Sequence, residues 1–334
     1  MRRPVVSVIR TRPETVTEDY HRLMNLAGYQ DVVAKDADTA LKINISWHFF
    51  FPGGFMIPRR FIGENIIHLP TVKTHVFTAM TGAMKNAVGG LLNERRHWTH
   101  PVIHETLVDL LMIQQKIHRG VFAVMDGTFA GDGPGPRCMI PRVKNVILAS
   151  ADQVAIDAVA ARLMGMDPLS IRFIRLAHDL GLGCGDPREI DVVGDTEAAS
   201  ENWHFVGPFR KMTFASRMQH LIYWGPLRRP VEWSLKTILA PWAYVASVLY
   251  HDTFWYPLKA KALMRDALDS SWGRLFRNWE HVSSDGRGYR DIPGPAAEVH
   301  RTGIRALLRS IGILGTCLKE APEFAMRRRR VIPH

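Results

Sequence analysis

The sequence predicts an α/β fold, in which a layered parallel or mixed sheet carries helices on both faces and is followed by a mainly helical C-terminal appendage. The first observation is that short apolar runs alternate with segments of helical periodicity over the first two hundred residues. This alternation is typical of a sheet that is covered by helices. The second observation is that strand patterns stop beyond residue 200, where helical periodicity, prolines and aromatic residues dominate.

The individual elements follow from local patterns. Short apolar or alternating runs predict strands, and amphipathic runs that stop at a glycine or a proline predict helices. The predicted strands are 5–9, 41–46, 66–69, 121–125, 143–149 and 190–194. The predicted helices are 13–26, 103–117, 152–164 and 171–180. After strand 66–69 we predict a loop and then a helix of small residues over about 81–90.

The charge is distributed unevenly between two parts of the chain. The net charge is +11, but residues 1–200 hold 22 Lys and Arg against 21 Asp and Glu, whereas residues 201–334 hold 21 against 11. Seven of the nine tryptophans also lie in the second part. We therefore predict an α/β domain over 1–200 and a basic, aromatic-rich, mainly helical region over 201–334.

Cysteine usage limits the cofactor classes. The three cysteines are scattered and form no Cys-x-x-Cys. We therefore expect neither a disulfide framework nor an intrinsic cysteine-ligated iron–sulfur cluster, and the cofactor is otherwise unknown. The apolar run near the N-terminus spans only about five residues, which is short for the core of a signal peptide. These observations predict a cytoplasmic protein.

The segment from residue 71 to residue 90 predicts an anion site. It contains no carboxylate, three glycines and a set of polar side chains, namely Lys73, His75, Thr81, Lys85 and Asn86. Basic and amide donors at a strand-to-helix junction, where glycines allow close backbone approach, commonly hold phosphate or carboxylate groups. If 81–90 is helical, Thr81 and Lys85 share a face. The alternative is that Lys85 and Asn86 cap a surface helix.

Two further groups are candidates for the same site. Asp126 follows an apolar strand, at the position where open α/β sheets place ligands, and Arg137 ends a glycine- and proline-rich loop and suits an oxyanion. A tight turn capped by Asp126 is the alternative. Asp152 fits a helix N-cap, and Asp157, just over one turn later, is a candidate ligand contact.

No metal site is assigned. His100 and His104 have the i, i+4 spacing of ligands on a helix, and Asp109 or Asp126 would supply oxygen. Pro101 makes a regular helix through both histidines less favourable, and a surface or substrate-facing histidine is the commoner situation.

Several motifs occur in a recognisable order: Lys42-x-Asn44, Lys73-x-His75, Thr81-Gly82-x-x-Lys85-Asn86-x-x-Gly89, Asp126-Gly127, Gly133-x-Gly135-Pro136, Asp152-x-Val154-Ala155-x-Asp157 and Gly181-Leu182-Gly183. On these motifs, residues of about 1–195 resemble the domain-of-unknown-function 362 family. The resemblance adds Lys42 and Asn44 to the candidate ligand-binding residues. Many relatives carry ferredoxin-like cysteine motifs, which implies redox or radical-linked roles for them. This chain lacks those cysteines, so a redox role would need an external electron carrier or a bound cofactor.

Three functional hypotheses follow. The first is an enzyme that acts on an anionic, lipid-like small molecule, with Lys73, Lys85 and Asn86 binding the anion and His75 or Asp126 transferring a proton. The second is a non-catalytic anion-binding scaffold at a membrane surface. The third is a metal- or cluster-dependent oxidoreductase that uses an external electron carrier. Whether the protein is an enzyme, and its oligomeric state, are left open.

The C-terminal part suggests a peripheral membrane partner or a lid on the α/β core. Its Trp and Tyr residues lie beside Lys and Arg, as at membrane interfaces, and its apolar stretch around 238–250 is too short to span a bilayer. Nucleic acid is disfavoured, because no recognised motif is present and prolines interrupt the basic helices.

Overall fold

The computed structural model describes residues 3–43, 61–92, 96–135, 138–210, 212–226 and 249–278. The chain divides into two compact units, Met1–Thr213 and Phe214–His334. The residues just after 200 belong to the first unit, because the buried Trp203 donates its backbone N–H to the carbonyl oxygen of Leu163 at 2.7 Å. The first unit is therefore slightly longer than the predicted α/β domain.

The first unit is built on one mixed sheet of eight strands. The strands are β1 (Val5–Arg10), β2 (Thr39–Ile43), β3 (Asn65–Leu69), β4 (Thr71–His75), β5 (Ala79–Thr81), β6 (Gly120–Asp132), β7 (Ile140–Ser150) and β8 (Asp191–Gly194). Six of them lie in the order β2-β3-β6-β7-β1-β8, while β4 pairs with β5 and β6. The β2–β3, β3–β6, β4–β6 and β1–β8 pairs are parallel, and the other pairs are antiparallel.

Helices surround this sheet. Those of the first unit are α1 (Val16–Leu26), α2 (Tyr29–Val32), α3 (Ala83–Asn86), α4 (Val88–Leu91), α5 (Ile103–Ile117), α6 (Gln153–Leu163), α7 (Arg172–Asp179), α8 (Thr196–Ser200) and α9 (Gly207–Arg210), with 3-10 helices at Arg96–Val102, Pro168–Ser170 and Pro187–Glu189. The described part of the second unit is helical: α10 (Phe214–Trp224), a π-helix (Tyr250–Ala260), α11 (Lys261–Asp269) and α12 (Ser271–Asn278). The predicted fold class is confirmed.

Strand β6 shows why its apolar run is continuous. Successive side chains of a strand point to opposite faces of the sheet. Phe122 and Val124 pack in a cluster with Leu23 of α1, whereas Ala123 and Met125 pack in a second cluster that includes residues of α5, α6 and α7. Both faces are thus covered by helices, and both must be apolar.

Strands β3 and β4 lie end to end along β6, and this arrangement positions the candidate site. β3 pairs with the first part of β6, and β4 pairs with its second part, where Thr71 lies opposite Asp126. Pro70 joins the two strands, and its carbonyl oxygen accepts the backbone N–H of Asp126 at 2.9 Å. Proline has no N–H to donate but keeps its acceptor, so the pairing continues past it.

The predicted loop after strand 66–69 is therefore wrong. Residues 71–81 form the β4–β5 hairpin, and α3 starts only at Ala83. Thr81 consequently lies on a strand, so it does not share a helical face with Lys85. The glycine- and proline-rich loop that is predicted to end at Arg137 starts only after Asp132, because β6 runs to that residue. Residues 44–46 of the predicted second strand lie outside the described residues.

Candidate functional site

Three of the predicted site residues meet where the hairpin passes into α3. The Nζ atom of Lys85 lies 3.1 Å from Nε2 of His75. Lys73 pairs with Thr81 across the hairpin, and the positive charge of Lys73 lowers the pKa of Lys85. The side chain of Thr81 donates to the carbonyl oxygen of Lys73 at 3.4 Å. The hairpin thus gathers Lys73, His75 and Lys85 from positions that are up to twelve residues apart in sequence.

Burial and neighbouring cations act on the lysines of this region. Burial is the main cause that lowers the pKa of Lys85 to about 7, and the charges of Lys73 and Arg96 lower it further. Burial, followed by the charge of Arg96, lowers the pKa of Lys42 to about 8. Burial also lowers the pKa of Lys73. The charge of Arg96 lowers the pKa of both Lys42 and Lys85, and the charge of Lys73 lowers that of Lys85. The three lysines and Arg96 therefore belong to one region.

No carboxylate compensates these lysines within the described part of the chain. None of Lys42, Lys73 and Lys85 forms an ion pair with a described Asp or Glu, and no acidic neighbour raises the pKa of any of them. Lys42 donates instead to the carbonyl oxygen of Ile43. Positive charge that is withdrawn from water without a counter-charge is costly.

The hydrogen bonds of His75 assign its tautomer. The backbone N–H of Phe77 donates to Nδ1 at 3.1 Å, so Nδ1 carries a lone pair and the proton of the neutral ring is on Nε2. The Nε2–H group then faces Nζ of Lys85. This contact is a hydrogen bond only if the lysine nitrogen accepts, which requires the uncharged amine.

Asn86 belongs to a buried polar chain. Its Nδ2 donates to the carbonyl oxygen of Lys42 at 2.6 Å and to Nδ1 of His68 at 3.3 Å. The other nitrogen of His68, Nε2, donates to Oε1 of Gln114 at 2.5 Å. His68 is fully buried, and burial is the main cause that lowers its pKa to about 4. The chain ties α3 to β2, β3 and α5.

Sequence reasoning missed His68 and Gln114. The available signal was a histidine inside the apolar run of β3 and a glutamine on the apolar face of α5, since buried polar side chains need partners. Asn86 was expected to face a ligand, and its amide nitrogen is used inside the fold. Its buried Oδ1 has no hydrogen-bond partner within the described residues.

Asp157 of α6 binds the start of α3, the helix that carries Lys85. It is fully buried, and its two oxygens accept the backbone N–H groups of Ala83 at 2.6 Å and Met84 at 3.2 Å. Burial raises its pKa to about 7, although these two donors act in the opposite direction. Both oxygens are therefore engaged by the start of α3, which Asp157 anchors to α6. The predicted N-cap role of Asp152 is confirmed by its bonds to Val154 and Ala155.

Asp126 lies beside strand β4 of the hairpin, but its carboxylate binds Thr128, two residues along the same strand. Its Oδ1 accepts the backbone N–H of Thr128 at 2.8 Å and the hydroxyl of Thr128 at 2.7 Å, which is the turn-capping alternative. Burial raises the pKa of Asp126. Burial and, after it, the charge of Asp126 raise the pKa of Tyr20 on α1. Asp126 lies opposite Thr71, two residues before Lys73 on β4.

The histidines that were considered as metal ligands point to aromatic partners. The ring of His100 packs on Phe77 with a centroid distance of 4.8 Å, and that of His104 stacks on Phe173 at 6.1 Å. Asp109 is exposed on α5. Within the described residues, no group of three or more His, Cys, Asp or Glu side chains is arranged to hold a metal ion. Asn44 and Arg137 lie outside the described residues.

A separate cleft of about 610 Å³ lies on the first unit. The loop between α6 and α7, the segment 202–210 and Ala79 of the hairpin line it. Neither Lys73 nor Lys85 is among its lining residues, so this cleft is distinct from the cationic region.

Comparison with known proteins gives two findings. Residues 8–162 match the model of the family described as "Domain of unknown function (DUF362)". A thylakoid-associated protein of Synechocystis sp. (sll1697) is 28% identical over 122 residues, which cover 36% of this chain and 38% of that protein. The match thus spans well under half of the relative's length. No solved structure matches the chain significantly.

The matched range contains Lys42, Lys73, His75, Lys85 and Asp157, so the family's own domain carries the candidate site. The resemblance to the domain-of-unknown-function 362 family is thus confirmed over residues 8–162.

Proposed function

We propose that the first unit is an enzyme that acts on an anionic small molecule. The observation that carries the proposal is a group of three lysines, the buried Lys42 and the half-buried Lys73 and Lys85, which converge with Arg96 and lack carboxylate partners within the described residues. A phosphate or carboxylate group would supply the missing counter-charge.

The lowered pKa of Lys85 gives the free-energy cost of keeping its amine charged. The pKa of Lys85 falls from 10.5 to about 7, and each pKa unit corresponds to about 1.4 kcal/mol. Keeping this amine charged in its protein environment therefore costs roughly 5 kcal/mol. A bound anion offsets part of this cost, so anion binding and protonation of Lys85 are coupled.

The contact between His75 and Lys85 supports catalysis over passive binding. The two nitrogens are 3.1 Å apart, which is within reach for a direct proton transfer. A pair that shares a proton beside an anion site can give it to, or take it from, a bound substrate. Asp126 is the second proton-transfer candidate, since burial raises its pKa, but its contacts with Thr128 favour His75.

Anion binding is tested by titration calorimetry of the full-length protein with inorganic phosphate and with a small carboxylate. Lys73→Met should weaken phosphate binding at least tenfold, whereas Lys116→Met, on the exposed side of α5, should leave it unchanged. Circular dichroism checks that both variants fold. The proposal fails if the wild-type protein binds neither anion, or if Lys73→Met binds as tightly as the control.

Catalysis is separated from a scaffold role by the ligand that co-purifies with the protein. Native mass spectrometry of freshly purified protein would identify its chemical class, and turnover of that compound would then be measured. His75→Asn should lose turnover and keep binding if the protein is an enzyme. Unchanged chemistry of the ligand with the wild-type protein would favour the scaffold.

A second function is favoured by the surface of the second unit. Phe254 and Leu258, four residues apart on the π-helix, are 58% and 77% exposed. They belong to a part of the chain in which Lys and Arg exceed Asp and Glu by ten. We propose that this unit contacts an anionic membrane surface peripherally. The relative from Synechocystis sp. is named as thylakoid-associated, which is consistent with this proposal. No described helix combines the length and apolar character needed to cross a bilayer.

A further inference from the structure

In the contact between His75 and Lys85, the histidine is the hydrogen-bond donor and the lysine is the acceptor. The backbone N–H of Phe77 occupies the Nδ1 lone pair of His75 at 3.1 Å, so the neutral ring presents an N–H group to Nζ of Lys85. An ammonium group facing that N–H would place two donors against each other. The geometry therefore selects the uncharged amine of Lys85, whose nitrogen lone pair accepts the proton of His75.

We infer that Lys85 is a nucleophilic lysine that forms an imine with the carbonyl group of an anionic oxo compound, such as an α-oxo acid or a phosphorylated aldehyde. This inference rests on the proposed anion site and adds the reactive group of its substrate. A lysine that is activated by burial or by a neighbouring cationic group is a recognised form of nucleophile, and Lys85 has both.

The position of Lys73 explains why the carbonyl compound would be anionic. Lys73 lies on β4 two residues before His75, and its charge acts on Lys85. A substrate whose anionic group contacts Lys73 would place a neighbouring carbonyl carbon toward Lys85. Arg96, whose charge also acts on Lys85, supplies further positive potential for the same group.

The surroundings keep the amine available near neutral pH. Burial, Lys73 and Arg96 together lower the pKa of Lys85 to about 7, whereas an ordinary exposed lysine titrates near 10.4 and is almost wholly protonated at neutrality. Only the uncharged amine attacks a carbonyl carbon.

The step is balanced without an oxidant or a reductant. The nitrogen of Lys85 attacks the carbonyl carbon, a C–N bond forms, and the carbonyl electron pair moves to oxygen. The two protons of the amine and the carbonyl oxygen then leave as one water molecule, and a C=N bond remains. The neutral ring of His75 keeps its proton and positions the amine through Nε2–H, while the protons that leave the nitrogen reach the departing oxygen through solvent.

Reductive trapping tests the inference on the full-length wild-type protein. The probe is pyridoxal 5′-phosphate, an aldehyde that carries a phosphate, and borohydride converts its imine to a stable secondary amine. Peptide mapping by mass spectrometry then measures labelling of each lysine, with the exposed Lys116 of α5 as the internal reference. Labelling of Lys85 should exceed that of Lys116 at least about tenfold at pH 7.5, and it should rise with pH around a midpoint near 7.

Two controls and a second probe test whether the label depends on the anion site and on the amine of Lys85. Inorganic phosphate should suppress labelling of Lys85 and leave that of Lys116 unchanged. Lys85→Arg keeps a charged side chain and should remove the label, while circular dichroism checks its fold. Glyoxylate, a small oxo acid, should be trapped on the same residue.

The outcomes are distinguishable. If phosphate binds but Lys85 is labelled no faster than Lys116, the imine inference is overturned and the proposed anion site stands. If phosphate does not bind and Lys85 is not labelled, both fail. Fast labelling of Lys85 that phosphate suppresses supports both.

Discussion

The carboxylate of Asp157 occupies the space in which a side chain on residue 82 would begin. A Cβ atom built on Gly82 would lie 2.0 Å from Oδ1 of Asp157, far inside van der Waals contact. The backbone of Gly82 is extended, with φ at −153°, so the glycine is required by space and not by backbone conformation. Through this contact a residue of α6 holds the turn that carries Lys85.

Gly82→Ala should destabilise the protein by about 2–4 kcal/mol, because the new methyl group displaces a carboxylate that two backbone N–H groups fix in place. Urea unfolding of the variant and the wild-type protein measures the difference. Asp157→Ala removes the obstructing group, so the double variant should lose less stability than the sum of the single variants. Strict additivity would contradict the proposed contact.

His68 should make the stability depend on pH in the acidic range. Its pKa is about 4 in the folded protein and about 6.5 in an unfolded chain. The unfolded state therefore binds more protons between these values, and stability is lost as the pH falls from about 6.5 to about 4. The contribution is roughly 3 kcal/mol.

Urea unfolding at pH 6.5 and at pH 4 measures this dependence. His68→Gln should reduce the difference between the two pH values by about that amount, while the remaining histidines contribute equally to both proteins. An unchanged difference would show that His68 does not titrate in this window.

Lys73→Met should raise the pKa of Lys85, because it removes one of the two cations that lower it. The midpoint of Lys85 labelling by an amine reagent should shift to higher pH, and labelling at pH 7 should decrease. Lys116→Met, which removes an exposed charge on α5, serves as the matched control. A midpoint that is the same in both variants would remove Lys73 from the site.

Replacing Phe254 and Leu258 by Ser should weaken binding of the full-length chain to vesicles that contain anionic lipid. Burial of each large apolar side chain contributes about 1.5–3 kcal/mol, so a loss of at least about tenfold is expected for the pair. Vesicle co-sedimentation measures it, and Val143→Ser, at an exposed apolar residue of β7, is the control. Equal sedimentation of the two variants would argue against a membrane contact by this surface.

Local patterns were sufficient for most of the elements. The predicted helix 103–117 has the observed bounds, and strand 66–69 is one residue short of β3. In both cases the signal is the period of the apolar residues, which a strand or a helix imposes on its own sequence whatever it packs against.

The β4–β5 hairpin was missed because its strand character depends on pairing with β6. Residues 71–81 mix polar and apolar side chains and are rich in threonine, and nothing within them reveals that β6 lies alongside. The same holds for Asn86 and Asp157. Asn86 bonds to a residue 44 positions away, and Asp157 bonds to one 74 positions away.

The chain's α/β class, its uneven charge and its cluster of basic residues without carboxylates could be recognised before any coordinates, because composition and periodicity are local properties. Which of these side chains share a site was decided by the tertiary structure. Lys85 meets His75 only because β4 folds back onto β5. The amine of Lys85 is partly withdrawn from water only because the surrounding fold covers it. Burial and neighbouring charge, which set its pKa, exist only in the folded molecule.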